Sequence, residues 1–547
     1  MKKVIALLLC AAMLLALAAC GSSSAAETSS AADTEEATED AAPAEEATTV
    51  AEDPTANEAP SAVEIEDQEG AISFPLDENV TYTIFYPFAP PLIQMGYEDP
   101  AELNFFKTLE EWTNVTLDFT VASVEVLSEN FNLVVASGDY PDIFSQCVSE
   151  YTGGGAAMIE DEVIIDLADY LDEYAPNYTA LRNSNASFKR DNTTDDGAVY
   201  EFMSYYTNVY VNQGYFYRTD YAEALGMDAP ETMDDWYDYL LACKNQFGVT
   251  TPSTGVTHSP FYGYGENDFI VRDGEVVYTV IDDEIQSQMM PLYEKWFGDG
   301  LYTVETQIDG YYTDSDLRGM VTSGEMIMTT TDVDQYLVFQ EEVPIAPTTL
   351  PTLEEGGTAY RMINQNSWGH GNTISTSCEN VETLVAYMDY WYTDAVIELA
   401  NWGIEGETFT RDADGNYSYT DEVLNFAGGL NLATSVYCAG WEPTCIDFTR
   451  KNAAYNEDQL NALSIWNEFD SSTDYPQFVT FTTEEQEIIK TTFADIQTYV
   501  DENFTQFKVC EKTYDNDFEA FVQQVYDMGM QDVLDVYQAA YDRYCQR

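Results

Sequence analysis

The sequence predicts an α/β fold in which a parallel sheet is covered by helices on both faces. Short runs of β-branched and aromatic residues alternate with segments that carry apolar residues at helical spacing, and the connections between them are short. Aromatic residues are absent from residues 21–72 and begin at Phe74. We therefore expect the folded domain to begin near Phe74 and to follow the alternating pattern of parallel α/β proteins.

The first elements form a predicted β-α-β unit. Residues 80–86 read as a strand that ends at a proline-rich turn, residues 104–112 as an amphipathic helix, and residues 115–121 as an alternating strand. A second helix over residues 127–136 then leads into a short buried strand at residues 142–144. This order favours parallel pairing, because strands separated by a helix return in the same direction.

Two β-hairpins are predicted at Asp-Gly turns. One turn is Asp273-Gly274 and the other lies within residues 412–416, each between alternating runs. The second turn could also suggest a calcium loop, but it lacks the Asp-x-Asp-x-Asp-Gly spacing and the bidentate glutamate of such loops. A plain turn is the favoured interpretation.

The N-terminus resembles a bacterial lipoprotein signal. Lys2 and Lys3 precede an apolar run over residues 4–19, and Cys20 follows Leu-Ala-Ala directly, as in a lipobox. An uncleaved membrane helix is the alternative, but about 16 apolar residues fall short of the roughly 20 that span a bilayer. We expect a signal peptide at 1–19, then a lipidated Cys20 and a disordered acidic tether at 20–73.

Charge and composition exclude several classes of function. The chain carries a formal charge of -78, which becomes -80 when the signal removes Lys2 and Lys3. Such a surface is a poor partner for nucleic acid, because phosphate binding requires clustered lysine and arginine. It would also be repelled by anionic lipid head groups, so the acyl chain would hold the protein at the membrane.

The cysteines and histidines provide little support for disulfide bonds or metal sites. Beyond Cys20 there are seven cysteines, and an exported domain of this size does not need disulfides. Cys438 and Cys445 are close enough in sequence to pair, although reduced thiols are the favoured interpretation. His258 and His370 are the only histidines, and no metal-ligand spacing occurs. We expect no metal and no cofactor.

Seven motifs occur in a fixed order along the chain, and the first is Ala-Ser-Gly-Asp-Tyr-Pro-Asp-Ile at residues 136–143. The motifs fall within residues 133–144, 216–236, 296–301, 323–328, 374–382, 402–407 and 538–544. Together they resemble the family 1 extracellular solute-binding proteins, the receptors of carbohydrate-type ABC importers, and the last three resemble the large lipoprotein subgroup typical of Gram-positive bacteria. Departures occur at Glu325, Val381 and residues 508–510, where the family usually has lysine, proline and a glycine turn.

The resemblance implies a two-lobed periplasmic-binding-protein-like fold of type II with additional C-terminal helices. Lobe 1 would comprise about 74–207 and 340–400, and lobe 2 about 208–339 and 401–547. Residues 197–218 and 344–357 would contain the hinge crossings. The ligand would lie between the lobes.

The resemblance and the chemistry of sugars together nominate thirteen ligand-binding residues. Sugar rings need flat aromatic platforms beside carboxylates, amides and hydroxyls, and open α/β sheets bind ligands at the carboxyl ends of their strands. The nominated residues are Tyr86, Phe88, Ser145, Gln146, Tyr205, Tyr206, Thr331, Asp332, Asp334, Trp368, His370, Trp402 and Glu405. For each of them a structural role in the core or in a turn is an equal alternative.

The function implied is that of a monomeric, lipid-anchored receptor on the outer side of the cell membrane. It would capture an oligosaccharide or another small solute and deliver it to the permease subunits of an ABC transporter. An oligopeptide receptor is the first alternative, and a glycan-acting enzyme or an adhesin is a weaker one. Catalysis lacks support because no hydrolase elbow, phosphate loop or metalloprotease motif occurs.

Overall fold

The computed structural model describes residues 66–208, 211–256, 268–304, 314–361, 367–427, 429–439 and 442–547. The predicted signal peptide, Cys20 and the tether as far as residue 65 lie outside these residues. Asp67 accepts a hydrogen bond from the Asp394 backbone, and the Gln68 backbone donates one to Asn177. The domain therefore includes residues from Asp67, earlier than the predicted start at Phe74.

The strands form two larger sheets and two hairpins. In chain order they are β1 Val80–Phe88, β2 Val115–Ser123, β3 Ile143–Ser145, β4 Phe202–Thr207, β5 Gln213–Arg218, β6 Phe269–Arg272, β7 Glu275–Tyr278, β8 Thr330–Asp332, β9 Ile345–Thr348, β10 Ser367–Ile374, β11 Phe409–Arg411, β12 Tyr417–Tyr419 and β13 Cys445–Asp447.

Helices surround these sheets and make up most of the C-terminal region. The α-helices are α1 Pro90–Gln94, α2 Asn104–Thr113, α3 Leu127–Ser137, α4 Gly154–Glu160, α5 Ala168–Tyr174, α6 Pro176–Ser184, α7 Ala186–Asp191, α8 Thr219–Leu225, α9 Met233–Phe247, α10 Asp283–Gly298, α11 Asp314–Ser323, α12 Val333–Glu342, α13 Val381–Tyr390, α14 Asp394–Trp402, α15 Asp421–Leu424, α16 Gly429–Tyr437, α17 Glu457–Trp466, α18 Thr483–Ile488, α19 Ala494–Lys508, α20 Glu519–Asp527 and α21 Met530–Tyr544.

The six-stranded sheet has the order β13-β4-β10-β3-β1-β2. The predicted β-α-β unit is present, since β1 and β2 pair in parallel on either side of α2. The sheet is mixed, however, because β10 runs antiparallel to both β3 and β4. The prediction of a purely parallel sheet is therefore wrong. β10 returns from a distant part of the chain, so no helix of the local pattern fixes its direction.

The second sheet has three antiparallel strands in the order β8-β5-β9. Both predicted hairpins also form, as β6 with β7 and as β11 with β12. Asp273 adopts a positive φ of 53° and Gly274 one of 81°, which is the geometry that Asp-Gly supplies in a tight hairpin turn.

Each of the two larger sheets has its own hydrophobic core, and we name the two parts the first and second lobes. The six-stranded sheet packs into a core that includes α13 and α14. In the second lobe, helices α9, α10, α19 and α20 enclose another core, and α17 packs beside the three-stranded sheet.

The chain passes between the two larger sheets three times. It crosses from β4 to β5, from β9 to β10, and from β13 to α17. Sheet pairing differs here from the predicted lobe ranges. β9 still pairs with β5, so the chain leaves the three-stranded sheet after Thr348, beyond the lobe boundary expected at about 340 and inside the segment 344–357 expected to contain the crossing. β13 pairs with β4, so the chain stays with the first lobe as far as Asp447 instead of leaving it near residue 400.

Membrane-spanning helices were sought among the described residues. No helix in that part of the chain is both long and apolar enough to cross a bilayer.

Candidate functional site

A cavity of about 350 Å³ lies at the carboxyl end of β1. Tyr86 and Phe88 point to the same side of this strand because side chains alternate with a period of two, and both are buried. The cavity is lined by Tyr86, Pro87, Phe88, Ala89, Leu92, Leu103, Phe105, Phe106, Val124, Gln146, Leu432, Ser435, Cys438, Ala439 and Glu442. An apolar cavity with a few polar groups is typical of small-molecule sites.

Glu442 is the charged side chain of this cavity. The Tyr86 hydroxyl donates a hydrogen bond to Glu442 Oε1, whereas Oε2 has no hydrogen-bond partner among the described residues. The residue is 4% exposed, and burial raises the pKa of its carboxyl to about 7. Burial, together with the nearby Glu442, also raises the pKa of Tyr86 well above its usual value. Tyr86 therefore fixes one carboxyl oxygen, and the other is buried without a partner in the described part of the chain.

The end of β3 contributes the next two predicted residues. Gln146 lines the cavity and adopts a positive φ of 55°, while its backbone N–H donates to Gly371 O at 2.7 Å. Ser145 is fully buried, and its Oγ has no hydrogen-bond partner among the described residues. Left-handed backbone in a residue other than glycine is uncommon and concentrates at functional positions.

The two predicted tyrosines of β4 have different surroundings. Tyr205 lies in the core, where its ring meets Phe188 edge-on at 5.0 Å and its hydroxyl accepts from Asn185 Nδ2 at 3.4 Å. Tyr206 packs its ring 4.6 Å from Phe448. Its pKa is raised by burial, lowered by Arg450 and raised by Glu442, so Tyr206 lies within the electrostatic reach of the cavity carboxyl.

The predicted residues of the second lobe form a separate group at the start of α12. Asp332 caps this helix, since its Oδ1 accepts from the backbone N–H groups of Asp334 and Gln335 at 2.9 Å each. Thr331 is buried in β8. Burial and the neighbouring Asp332 raise the pKa of Asp334, and Lys451 and Tyr455 lower it.

The segment after β13 connects the two groups, and sequence reasoning missed it. Arg450 Nη1 donates to Asn401 Oδ1 at 3.1 Å, and Lys451 Nζ donates to Asn431 Oδ1. Burial lowers the pKa of Lys451 to about 8, and so does Arg450, whereas Asp334 opposes them. Adjacent basic residues in a chain with only 20 were the available signal. No pattern distinguished Glu442 from the other acids.

Trp402 and Glu405 lie beside the β11–β12 hairpin. The Trp402 ring stacks on Tyr417 with centroids 4.7 Å apart and an angle of 21° between the planes, and it also packs against Tyr419. Glu405 is exposed and lies 3.5 Å from Arg411. These contacts hold the hairpin against α14. That Trp402 and Glu405 contact a ligand stays a prediction.

Trp368 and His370 lie in β10. The backbone of Trp368 pairs with Ser204 of β4, which places the strand in the middle of the six-stranded sheet. Their side chains are outside the described part of the chain, as is His258.

The loop at residues 412–416 and the cysteines show no metal or disulfide chemistry in the described residues. Asp412 accepts hydrogen bonds from the backbone of Asp414 and Asn416, as a plain turn does. No cluster of metal-ligating side chains occurs among the residues described, where Cys147, Cys243, Cys378, Cys438, Cys445 and Cys510 are free thiols.

Comparison with known proteins agrees with this architecture. No family model matches the chain. It is 23% identical over 529 residues to the fructooligosaccharide ABC transporter substrate-binding protein FusA of Streptococcus pneumoniae serotype 4 (strain ATCC BAA-334 / TIGR4), covering 86% of this chain and 92% of FusA.

Two solved structures show the same fold. The alginate-binding protein AlgQ2 superposes with a TM-score of 0.66 at 20% identity, over 87% of this chain and 100% of AlgQ2. An HMO-binding solute-binding protein associated with an ABC transporter from Bifidobacterium longum infantis ATCC 15697 gives a TM-score of 0.69 at 15% identity, over 86% of this chain and 100% of that one. The resemblance predicted from the sequence is confirmed, and the chain has the two-lobed fold of the extracellular solute-binding proteins of ABC transporters.

Proposed function

We propose that this protein is an extracellular receptor that captures an oligosaccharide between its lobes and delivers it to an ABC permease. The observation that supports this most directly is the cavity at the end of β1, where Tyr86 and Phe88 supply aromatic walls and Gln146 and Glu442 supply polar groups. Apolar ring faces bordered by hydroxyls are complementary to this lining. Binding, and not catalysis, is the role of FusA and AlgQ2 as their names give it.

The attachment to the membrane is part of the same proposal. The lipobox-like sequence before Cys20 would place an acyl anchor at the N-terminus of the mature chain, and the acidic residues 20–65 would keep the receptor away from the bilayer. The cognate permease would meet the receptor at this surface. FusA, named as the substrate-binding protein of an ABC transporter, supports this partner.

A thermal-shift screen of the purified full-length chain tests the proposal. The panel contains fructo-oligosaccharides, milk-type oligosaccharides, N-glycan fragments, alginate oligomers and, as the competing class, oligopeptides. A ligand at 100 times its dissociation constant stabilises the folded protein by about 2.7 kcal/mol, so a true ligand raises the melting temperature visibly. Stabilisation by peptides and by no saccharide would contradict the proposal.

The variant Gln146→Asn tests whether a ligand found in the screen binds in the β1 cavity. Asparagine tolerates the positive φ of this position but has a side chain shorter by one methylene, so the fold is kept and the reach of the amide is lost. We expect about fivefold weaker binding, equivalent to ~1 kcal/mol for one hydrogen bond, at an unchanged melting temperature. Gln523→Asn, on the exposed surface of α20, is the matched control and should bind as the parent does.

A further inference from the structure

The geometry of the β1 cavity points to a class of ligand that the comparisons do not distinguish. We propose that the part of the ligand entering this cavity is electrically neutral, and that Glu442 makes the receptor reject saccharides that carry a carboxylate there. This inference rests on the proposed function, because it concerns which saccharides the same site accepts.

The first argument is the charge of the cavity wall. Among the described residues that line it, Glu442 is the only aspartate, glutamate, lysine or arginine. The carboxyl is nine-tenths buried and lies among aromatic and aliphatic side chains, where water and salt can screen it little. A ligand carboxylate in this cavity would therefore be buried without a counterion, and it would be tolerated only if Glu442 first took up a proton, so both its desolvation and that protonation oppose binding.

The second argument concerns Arg450 and Lys451, the basic residues closest to Glu442 in sequence, which already make other contacts. Arg450 Nη1 donates to Asn401 Oδ1 and to Asp447 O, at 3.1 and 3.4 Å. Lys451 donates to Asn431, and the charge of Asp334 in the second lobe stabilises its protonated form. Arg450 Nε has no partner among the described residues, but it is buried, so an anionic sugar would have to disturb these contacts to reach a cation.

The undescribed segments between residues 66 and 547 add no permanent cation. Residues 209–210, 257–267, 305–313, 362–366, 428 and 440–441 contain neither lysine nor arginine, and they include Glu266, Glu305 and Asp309. His258 is the one residue of these segments that can carry a positive charge, and histidine is mostly neutral at and above pH 7.

The third argument concerns what Glu442 offers a neutral sugar. Tyr86 holds Oε1, and Oε2 is buried with no partner among the described residues. Glu442 lines the cavity, so a small shift of its side chain that brings Oε2 to the cavity surface would let this oxygen accept a hydrogen bond from a ligand hydroxyl. Because burial raises the pKa of the carboxyl to about 7, its protonated form can also donate to a hydroxyl oxygen. A hydroxyl can therefore pair with either form of Glu442, whereas a carboxylate can pair only with the protonated form.

The test compares a neutral saccharide with its own carboxylate. The neutral sugars are galactotriose, mannotriose and lacto-N-tetraose, each paired with a form oxidised at a primary hydroxyl, and any neutral hit from the screen is oxidised in the same way. Titration calorimetry on the full-length chain at pH 9, where Glu442 is ionised, should show that the oxidised member of a binding pair binds at least about 100-fold more weakly, because the carboxyl must take up a proton from a solution two pH units above its pKa. Equal or tighter binding of the acidic member would overturn the inference, whereas failure of every saccharide would overturn the proposed function itself.

The variant Glu442→Gln identifies the group responsible. It keeps the size of the side chain and an oxygen for Tyr86, so neutral binding should change by less than about tenfold while the discrimination against the carboxylate falls by at least tenfold. Glu407→Gln removes an equal charge from an exposed position of the same lobe and should leave the discrimination intact.

Salt separates the local effect from the general repulsion of a highly acidic surface. Repulsion by surface charge is screened at 0.5 M salt, where the Debye length is only a few ångströms, but the repulsion between two buried groups persists. Discrimination that survives salt and is lost in Glu442→Gln supports the proposal. Discrimination that disappears in salt, or that is retained in a folded Glu442→Gln protein, contradicts it, and wild-type titrations in salt remain decisive if the variant does not fold.

Discussion

Two buried acids, Glu201 and Glu442, each have an Oε2 atom without a hydrogen-bond partner in the described part of the chain. Glu442 lies at a cavity, where a ligand can satisfy it. Glu201 is 1% exposed and packs over β10, since a Cβ atom added at Gly371 would lie 2.1 Å from its Oε2. Asp389 is a contrast, because it accepts from Asn177 Nδ2 and from the Tyr178 backbone. Of these three acids, Glu201 is the one with the highest pKa, about 8, and its ionisation leaves a buried charge without a partner for Oε2 in the described residues.

Glu201 should make the stability of the protein fall as pH rises. Burial raises the pKa of its carboxyl from an ordinary value of 4.5 to about 8, and its titratable neighbours are phenols with raised pKa values of their own, Tyr178, Tyr200 and Tyr392. The folded state thus holds the proton more tightly than the unfolded state. The associated stability is complete below about pH 4.5 and is lost as pH rises through 8.

The variant Glu201→Gln isolates this contribution. Urea unfolding between pH 5 and 9 should show that the free energy of unfolding of the parent falls by about 3–5 kcal/mol more than that of the variant. Glu341→Gln, at an exposed position, should follow the parent. Parallel pH profiles for the parent and Glu201→Gln would show that Glu201 ionises as an ordinary acid.

At the scale of elements, the crossing from β4 to β5 is held by side chains at the end of α17, the helix that follows the crossing from β13. Asn467 accepts from the Val211 backbone at 2.7 Å and donates back to Val211 O at 2.8 Å. The Trp466 ring lies directly over Gly214 in β5, and its Nε1 donates to Tyr215 O at 2.9 Å. The end of α17 and the start of β5 therefore form one packed unit at the hinge.

Gly214→Ala should disrupt this unit. The added Cβ would lie 2.2 Å from Trp466 ring atoms, so the indole or the strand must move, at a cost of about 1–3 kcal/mol in the free energy of unfolding. Gly319→Ala is the control, since no atom lies within 4 Å of its Cβ position and alanine is favoured inside a helix by ~0.5–1 kcal/mol. Equal stability of the two variants in chemical denaturation would contradict the close packing of Trp466 on β5.

The elements predicted from sequence are those that short-range patterns determine. The β1-α2-β2 unit and both Asp-Gly hairpins depend on residues within one contiguous stretch, and the structure contains all of them. The direction of β10 and the pairing of β13 with β4 depend on contacts between distant segments, which periodicity does not encode. Glu442 was missed for a related reason, because its hydrogen-bond partner Tyr86 lies in β1 and much of the cavity around it comes from β1 and α2, both distant in sequence.

At the scale of the whole molecule, the lobes also meet at a point distant in sequence from the crossings. Arg543 and Arg547 at the C-terminus each lie 2.7 Å from Asp195, which follows α7 of the first lobe, and Arg543 also pairs with Glu485. These contacts and the three crossings restrict how one lobe can move relative to the other. A rotation about the crossings is the motion that such a connection permits most easily.

Ligand binding should therefore close the lobes. The residues predicted to contact a ligand divide between the first lobe, with Tyr86 and Gln146, and the second lobe, with Thr331 and Asp334. If both groups contact the ligand, neither lobe alone completes the contacts, and a saccharide that touches both favours the closed state by the difference in its affinity for the two states. Small-angle X-ray scattering should show a smaller radius of gyration with the saccharide that gives the largest thermal shift. A saccharide that gives no thermal shift, added at the same concentration, should leave the profile unchanged. An unchanged profile at saturation with the tight ligand would mean that the site is already complete without movement of the lobes. The crossings would then join the two lobes without bending when the ligand binds.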